Sequence, residues 1–259
     1  MLLPTEHTVA DAIIAGADLA MVYGGDEVVQ KYAQNSTVLP QGPGRSKVLV
    51  ADTDWAAHLD TIVESVSHQG GVACTNATAV LVQGDGANAS RLAREVAARL
   101  AAIPSLPPQD EQAVLPCQPL SSARALEAYL QDRARDAVMW LGGDGIAEDL
   151  GDGSAVLRPA VGQLDSPYAP QLGLELPFPC IWIAPWNRAD GLGPLRRTLV
   201  LTAITSDEDL IGELVSEPSI ANVYVGDRPT CRNDFGLPHD GYLGEFLMRS
   251  KTVARASAS

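Results

Sequence analysis

The sequence predicts an α/β protein with a mostly parallel sheet. Short apolar segments with β-forming residues alternate with helical segments along most of the 259 residues, and glycine-rich turns separate many of them. The clearest alternation is a strand at residues 48–51, a helix that starts near Trp55, and a second strand at residues 78–83. Strands that alternate with helices are typical of βαβ units, in which consecutive strands lie parallel.

Composition and charge narrow the class of protein. The net charge of −14 argues against a nucleic acid or an anionic membrane as partner, because like charges repel. No apolar run approaches the roughly 20 residues of a membrane span, and no leader pattern opens the sequence, so we expect a cytoplasmic protein. The four cysteines lack a CxxC pairing, and the four histidines form no i, i+4 pair. These patterns favour reduced thiols and predict no metal site.

The N-terminal part predicts a strand, a glycine turn and a helix. We expect helices at residues 7–16 and 26–34 and strands at residues 19–23 and 37–40. Gly24 and Gly25 separate the first strand from the second helix. A glycine turn before a helix N-terminus can bind an anion through free backbone N–H groups, but it can equally be only a tight turn. The residues leave both interpretations open.

The central stretch presents a cysteine between a helix and a strand. The helix that starts at Trp55 carries an apolar stripe, and Gly70 and Gly71 end it where a Cβ would clash. Cys74 follows, flanked by the small side chains of Ala73 and Thr75. A nucleophile needs a fixed backbone and an open side, which this pattern offers. The alternative is a buried and unreactive thiol.

The remaining elements continue the alternation to the C-terminus. A loop at residues 84–90 ends in an N-cap for a helix at 91–102, and a proline-rich connector covers residues 104–119. The further predicted elements are a helix at 121–135, a strand at 137–141, a hairpin within 142–161, strands at 180–184, 199–204 and 220–225, and a helix after 204 capped by Thr205 or Ser206.

Several segments, in the right order, resemble the aldehyde dehydrogenase superfamily. GGVACTNATAVLV resembles its catalytic-cysteine segment, LELPFPCIWIAPW resembles the segment that contains the cofactor-binding glutamate, and IANVYV resembles a late strand. The resemblance implies an aldehyde-dehydrogenase-like catalytic domain with Cys74 as nucleophile. It also implies NAD or NADP as cofactor, with Gly24 and Gly25 at the pyrophosphate and Glu175 at the nicotinamide ribose hydroxyls.

One position departs from the ordinary members of that superfamily. The segment QGPGRSKVLV resembles the one in which a glutamate acts as the base that activates water, and Gln41 stands at that position. An amide cannot accept a proton from water. The segment is closer to the CoA-acylating aldehyde dehydrogenases, and the tail PHDGYLGEFL is closer to acyl-CoA reductases, which implies coenzyme A as co-substrate. A misaligned or inactive segment would show the same residue.

The resemblance covers only the later part of a superfamily protein. It implies a partial Rossmann-like cofactor segment at residues 1–46, a catalytic domain at 47–227 and a C-terminal arm at 228–259. We therefore expect an NAD(P)-dependent oxidoreductase that acts on a small-molecule aldehyde or acyl thioester. We also expect either a homo-oligomer or a partner chain that supplies the missing cofactor half. The alternatives are an ordinary aldehyde dehydrogenase and a non-catalytic fragment that serves as a binding or scaffold subunit.

Overall fold

The computed structural model describes residues 7–232, 234, 236–248 and 252–255. The chain divides into two compact units. The larger unit is Gly44–Asn233, and the smaller unit combines Met1–Pro43 with Asp234–Ser259. Cys74 and Glu175 therefore belong to the larger unit, whereas Gly24, Gly25 and Gln41 belong to the smaller one.

The smaller unit contains a two-stranded parallel sheet with short helices. Its elements are α1 (His7–Ala15), β1 (Ala20–Tyr23), α2 (Asp26–Tyr32), β2 (Val38–Gln41) and the last helix of the chain, α7 (Leu243–Leu247). Strands β1 and β2 pair in parallel, with Ala20 opposite Val38 and Tyr23 opposite Gln41. The strand, turn and helix predicted around Gly24 and Gly25 are confirmed.

The larger unit is built on a seven-stranded sheet. Its strands are β3 (Ser46–Val50), β4 (Ala77–Gln83), β6 (Val138–Leu141), β9 (Ala160–Gln163), β10 (Cys180–Trp186), β11 (Thr198–Ile204) and β12 (Ile220–Val225). The order across the sheet is β12-β11-β3-β4-β10-β9-β6. All neighbours pair in parallel except β6, which runs antiparallel to β9. The prediction of a mostly parallel sheet is confirmed.

The remaining elements of the larger unit cover this sheet. They are α3 (Leu59–Ser67), α4 (Gly86–Ala101), α5 (Leu120–Arg133), α6 (Glu208–Ser216) and the small antiparallel sheet of β5 (Cys117–Pro119), β7 (Ala147–Asp149) and β8 (Ser154–Leu157). The pairing of β7 with β8 confirms the predicted hairpin. Among the described residues, no helix has the length and apolar character needed to cross a lipid bilayer.

The core follows the two-residue period of the strands. Along β4, Val80 and Val82 pack with apolar residues of α3 and α4. Ala79 and Leu81 belong to two other buried clusters, which contain residues of α5 and α6 respectively. Successive side chains of a strand point to opposite faces, so a strand buried on both faces reads as an uninterrupted apolar run. This explains why the sequence located the strands well.

Two predicted helix starts are wrong. Helix α4 begins at Gly86 rather than residue 91, because the Asp85 carboxylate accepts a hydrogen bond from the backbone N–H of Asn88 at 2.9 Å and caps the helix. Helix α6 is capped by Asp207, whose carboxylate accepts from Leu210 N–H. The hydroxyls predicted as caps for α6 donate instead to the carboxylate of Asp52. In both cases an aspartate carboxylate accepts from an N–H group that has no partner within the helix.

Candidate active site

Cys74 lies in the loop that leads into β4. The preceding turn runs through three residues with left-handed backbone, Gln69 (φ 50°), Gly70 (φ 73°) and Gly71 (φ 70°). A Cβ on Gly71 would lie 2.5 Å from the backbone nitrogen of Pro179. The prediction that these glycines are needed for a close backbone approach is therefore confirmed.

Asn76 fixes the shape of this loop. Its side-chain oxygen accepts from the backbone N–H of Ala73 at 2.9 Å, and its own backbone N–H donates to the carbonyl of Ala73 at 2.9 Å. Its side-chain nitrogen donates to the carbonyl oxygens of Ser65 and His68, both at 3.1 Å. Asn76 is buried. One amide thus ties the Cys74 loop to the carboxyl end of α3, a role that sequence reasoning missed.

The backbone of Cys74 rests on the start of β3. A Cβ on Gly44 would overlap the carbonyl oxygen of Cys74, so a glycine is required at this contact. The Ser46 hydroxyl donates to the same carbonyl at 3.0 Å. Cys74 takes part in no disulfide, and the residue is partly exposed. The loop therefore holds the cysteine backbone in place and leaves part of the residue accessible.

Glu175 forms a hydrogen bond with the backbone of the same glycine, Gly44. Its carboxylate accepts from the backbone N–H of Gly44 at 3.1 Å. Desolvation by the surrounding chain raises the pKa of Glu175, and the Gly44 N–H and the nearby Arg45 guanidinium oppose that rise. Arg45 in turn donates to the carbonyl of Gly173 at 2.9 Å, which ties the two segments together. The structure thus brings the backbone of Cys74 and the carboxylate of Glu175, two predicted site residues, to the same glycine.

A cavity of about 250 Å³ lies beside the Cys74 loop. Among the described residues that line it, Ala73 and Asn76 come from the loop, Glu175 and Cys180 come from the segment before and at the start of β10, and Cys74 does not take part. Burial raises the pKa of Cys180 to about 12, so this thiol stays protonated near neutral pH. The prediction that Cys180 is a core residue is confirmed.

A second group of residues that sequence reasoning missed surrounds Lys47. This lysine is buried on β3, and its ammonium nitrogen lies 3.2 Å from the carbonyl oxygens of both Arg45 and Arg196. The pKa of Lys47 is lowered to about 7, mainly by burial and in smaller part by the neighbouring positive charges of Arg45 and Arg197. The sequence of residues 46–50 gave no signal for this, because a single lysine in a strand is normally exposed.

The other predicted site residues lie together in the smaller unit. Gly24 packs on α2, where a Cβ would lie 2.5 Å from a methyl carbon of Val28, and its N–H donates to the carbonyl of Gln41 at 3.0 Å. Nothing lies within 4 Å of a Cβ built on Gly25, so that side of the turn is open. The Gln41 side-chain nitrogen donates to the carbonyl of Asp240 at 3.1 Å. An ionised glutamate could not donate this bond.

Comparison with known proteins identifies the fold of the chain. No protein-family model matches the sequence, and no curated protein matches it either. Among solved structures, the chain is similar to a mutant of 1-pyrroline-5-carboxylate dehydrogenase from Thermus thermophilus, with 17% identity, a TM-score of 0.73, and coverage of 93% of this chain and 50% of the other.

Two further structures give the same result. A glyceraldehyde-3-phosphate dehydrogenase from Methanocaldococcus jannaschii, complexed with NADP, has 16% identity and a TM-score of 0.71 over 89% of this chain and 50% of its own. Aldehyde dehydrogenase 21 from Physcomitrella patens, in complex with the product succinate, has 16% identity and a TM-score of 0.71 over 89% of this chain and 49% of its own. The predicted aldehyde-dehydrogenase-like α/β fold is confirmed, and the chain spans about half the length of these structures.

Proposed function

We propose that this chain carries the catalytic cysteine of an NAD(P)-dependent oxidoreductase that acts on an aldehyde or an acyl thioester. The observation that supports it is the shared contact at Gly44, which meets the backbone of Cys74 and also donates to the Glu175 carboxylate. A nucleophile and a cofactor-binding carboxylate would need this proximity. Several solved structures with the same fold are aldehyde dehydrogenases, and one of those compared above holds NADP.

In this proposal the thiolate of Cys74 is the nucleophile. It would attack the carbonyl carbon of an acyl thioester, form a new thioester bond and release the thiol of the substrate. NAD(P)H, when bound, supplies the hydride that reduces this acyl group to an aldehyde. Gly24 and Gly25 would hold the pyrophosphate and Glu175 the ribose hydroxyls. The open side of Gly25 leaves room for such a group. Because the chain spans about half of the similar structures, the proposal includes a partner segment or a second chain that completes the cofactor domain.

Gln41 supports coenzyme A rather than water as the acyl acceptor. Its amide cannot act as a general base, and it already donates to the carbonyl of Asp240. Without a base to activate water, hydrolysis of an acyl-enzyme is slow, whereas a thiol acceptor is a strong nucleophile once it is ionised. The finer proposal is therefore an acyl-CoA reductase or a CoA-acylating aldehyde dehydrogenase.

Acyl transfer to Cys74 tests the proposal with the chain alone, because this step needs no hydride. The chain is incubated with acyl-CoA of several chain lengths, and the adduct is located by intact mass and peptide mapping. We expect one acyl group on Cys74, none in Cys74→Ser, and an unchanged adduct in Cys117→Ser, which removes another partly exposed thiol. Failure of every acyl-CoA to modify the wild-type chain would favour a non-catalytic binding or scaffold subunit instead.

The second candidate is an ordinary aldehyde dehydrogenase that releases carboxylate. Measuring the release of carboxylate from the acyl-enzyme with and without coenzyme A separates the two. We expect transfer to coenzyme A and little hydrolysis in the wild type, and a rise in hydrolysis in Gln41→Glu, which introduces a base at that position. General-base catalysis typically contributes about 10²–10⁴-fold. Rapid hydrolysis by the wild type without coenzyme A would favour the ordinary enzyme.

A further inference from the structure

Two potential metal ligands at the carboxyl end of α3 lie close to a third from a distant part of the sequence. Glu64, His68 and Cys231 each offer one ligand atom, and these atoms all lie within 4.8 Å of one another. The sequence predicted no metal site because no two histidines are spaced as a ligand pair. The structure instead pairs a glutamate and a histidine at i, i+4 with a cysteine that follows β12.

We propose that Glu64, His68 and Cys231 bind one zinc ion, with water as the fourth ligand. Zinc prefers this mixture of sulfur, nitrogen and oxygen donors in a tetrahedral arrangement, whereas Mg²⁺ and Ca²⁺ prefer oxygen ligands alone. Zinc–sulfur and zinc–nitrogen bonds of about 2.3 and 2.0 Å place ligand atoms roughly 3.5 Å apart. The exposed side chains of Glu64 and His68 need to move by only about 1 Å to reach that spacing.

The backbone on both sides of the site is already fixed. The N–H of Thr230 donates to the Ser65 hydroxyl at 3.0 Å, and the Cys231 sulfur contacts the carbonyl oxygen of Glu64 at 3.7 Å. The amide of Asn76 holds the carbonyl of His68. Two segments that are 167 residues apart are therefore held together before any ion binds, so little ordering opposes binding.

Charge also favours a cation at this position. The thiol of Cys231 releases its proton to solvent when the sulfur–zinc bond forms, so the ion would be neutralised by one thiolate and one carboxylate. The site lies at the carboxyl end of α3, where the backbone dipole is negative. Bound zinc would fix the turn at His68, which Asn76 connects to the Cys74 loop. This inference does not depend on the function proposed above.

Metal binding to the full chain tests the site directly. The chain is stripped with a chelator, and zinc is titrated by calorimetry and equilibrium dialysis, with Co²⁺ as a spectroscopic probe. We expect one zinc per chain and a near-ultraviolet thiolate-to-cobalt absorption. Affinity should fall at least about tenfold in Glu64→Ala and His68→Ala, since even outer-shell substitutions have effects of that size. Cys231→Ser should abolish the charge-transfer absorption.

Matched variants separate this site from other ligands in the chain. His239→Ala and Cys117→Ser remove the same residue types elsewhere and should leave affinity and absorption unchanged. Glu64 and His68 are exposed, so their variants should fold even if the buried Cys231→Ser does not. Wild-type affinity in His68→Ala would overturn the proposal, as would loss of zinc in Cys74→Ser or the absence of stoichiometric binding to the wild-type chain.

Discussion

The buried Lys47 should make the protein more stable at pH 9 than at pH 6. Its side chain is enclosed, with 2% of the residue exposed, and its ammonium group contacts two backbone carbonyls. Burial is the main cause of the low pKa, because removing the charged form from water is unfavourable. The positive charges of Arg45 and Arg197 act in the same direction. The folded protein therefore prefers the neutral amine.

The sign and size of the effect follow from the two pKa values. The pKa of Lys47 is 10.5 in the unfolded chain and about 7 in the folded protein. Between these values the unfolded chain binds more protons, so the free energy of unfolding rises with pH. The difference corresponds to about 5 kcal/mol when the lysine is fully protonated, below pH 7. Between pH 6 and pH 9 about half of this, roughly 2.5 kcal/mol, should be recovered.

The variant Lys47→Met isolates this contribution. It removes the titrating group from both states and keeps a side chain of similar length. We would measure urea unfolding of the wild type and the variant by circular dichroism at pH 6, 7.5 and 9. The difference in the free energy of unfolding, wild type minus variant, should rise by roughly 2.5 kcal/mol across this range.

An exposed lysine provides the control. Lys31 lies at the surface beside Asp11, and these contacts raise its pKa, so it stays charged throughout the range. Lys31→Met should therefore give a difference that does not change between pH 6 and pH 9. A flat difference for Lys47→Met as well, within about 0.5 kcal/mol, would refute the inference that burial shifts this lysine to near-neutral pH.

Three further substitutions test the framework of the candidate site and of α4. Gly44→Ala should lower the free energy of unfolding by about 1–3 kcal/mol and slow acylation of Cys74, because the added Cβ overlaps the cysteine carbonyl. The control Gly173→Ala should be near neutral, because a Cβ there meets nothing within 4 Å. Equal effects of the two variants would contradict the Gly44 contact. Asn76→Ala should lower the free energy of unfolding by roughly 2–4 kcal/mol in urea titrations, because three side-chain hydrogen bonds are lost. An effect below about 0.5 kcal/mol would indicate that the loop keeps its conformation without this side chain. Asp85→Ala should lower the free energy of unfolding by about 1 kcal/mol in the same assay, because the N-cap of α4 is lost. Asp85→Asn should retain the cap, so an equal loss of stability in both variants would contradict capping.

The sequence was informative wherever burial is uniform along an element. Strand β4 is almost entirely enclosed, and the apolar run at residues 79–82 located it within one residue. The turn at Gly70 and Gly71 was equally clear, since left-handed backbone at close contact leaves glycine as the suitable residue. Local physical constraints of this kind can be recognised from a few consecutive residues.

The features that sequence reasoning missed depend on contacts between distant segments or on competing local signals. Asp85 precedes a glycine and therefore resembles a turn residue, although in the structure it caps α4. Lys47 directly precedes an apolar run, and nothing nearby in the sequence shows that the carbonyls of Arg45 and Arg196 lie against it. The grouping of Cys231 with α3 depends on where β12 ends in the folded sheet. Such neighbours follow from topology, which the sequence pattern alone does not provide.

The contacts that hold the Cys74 loop all lie within the larger unit. Gly44 packs on the carbonyl of Cys74, the Ser46 hydroxyl donates to that carbonyl, and the Asn76 side chain accepts from Ala73 N–H. None of these contacts involves Gln41. The substitution Gln41→Glu should therefore leave the position of the cysteine unchanged, and the proposed function predicts that it raises hydrolysis of an acyl-enzyme. Acyl transfer to the thiol is then the step that this chain should retain, and it can be measured independently of both hydride transfer and hydrolysis. If Cys74 accepts no acyl group while its loop keeps this geometry, the fold has kept the support for a nucleophile without the reactivity.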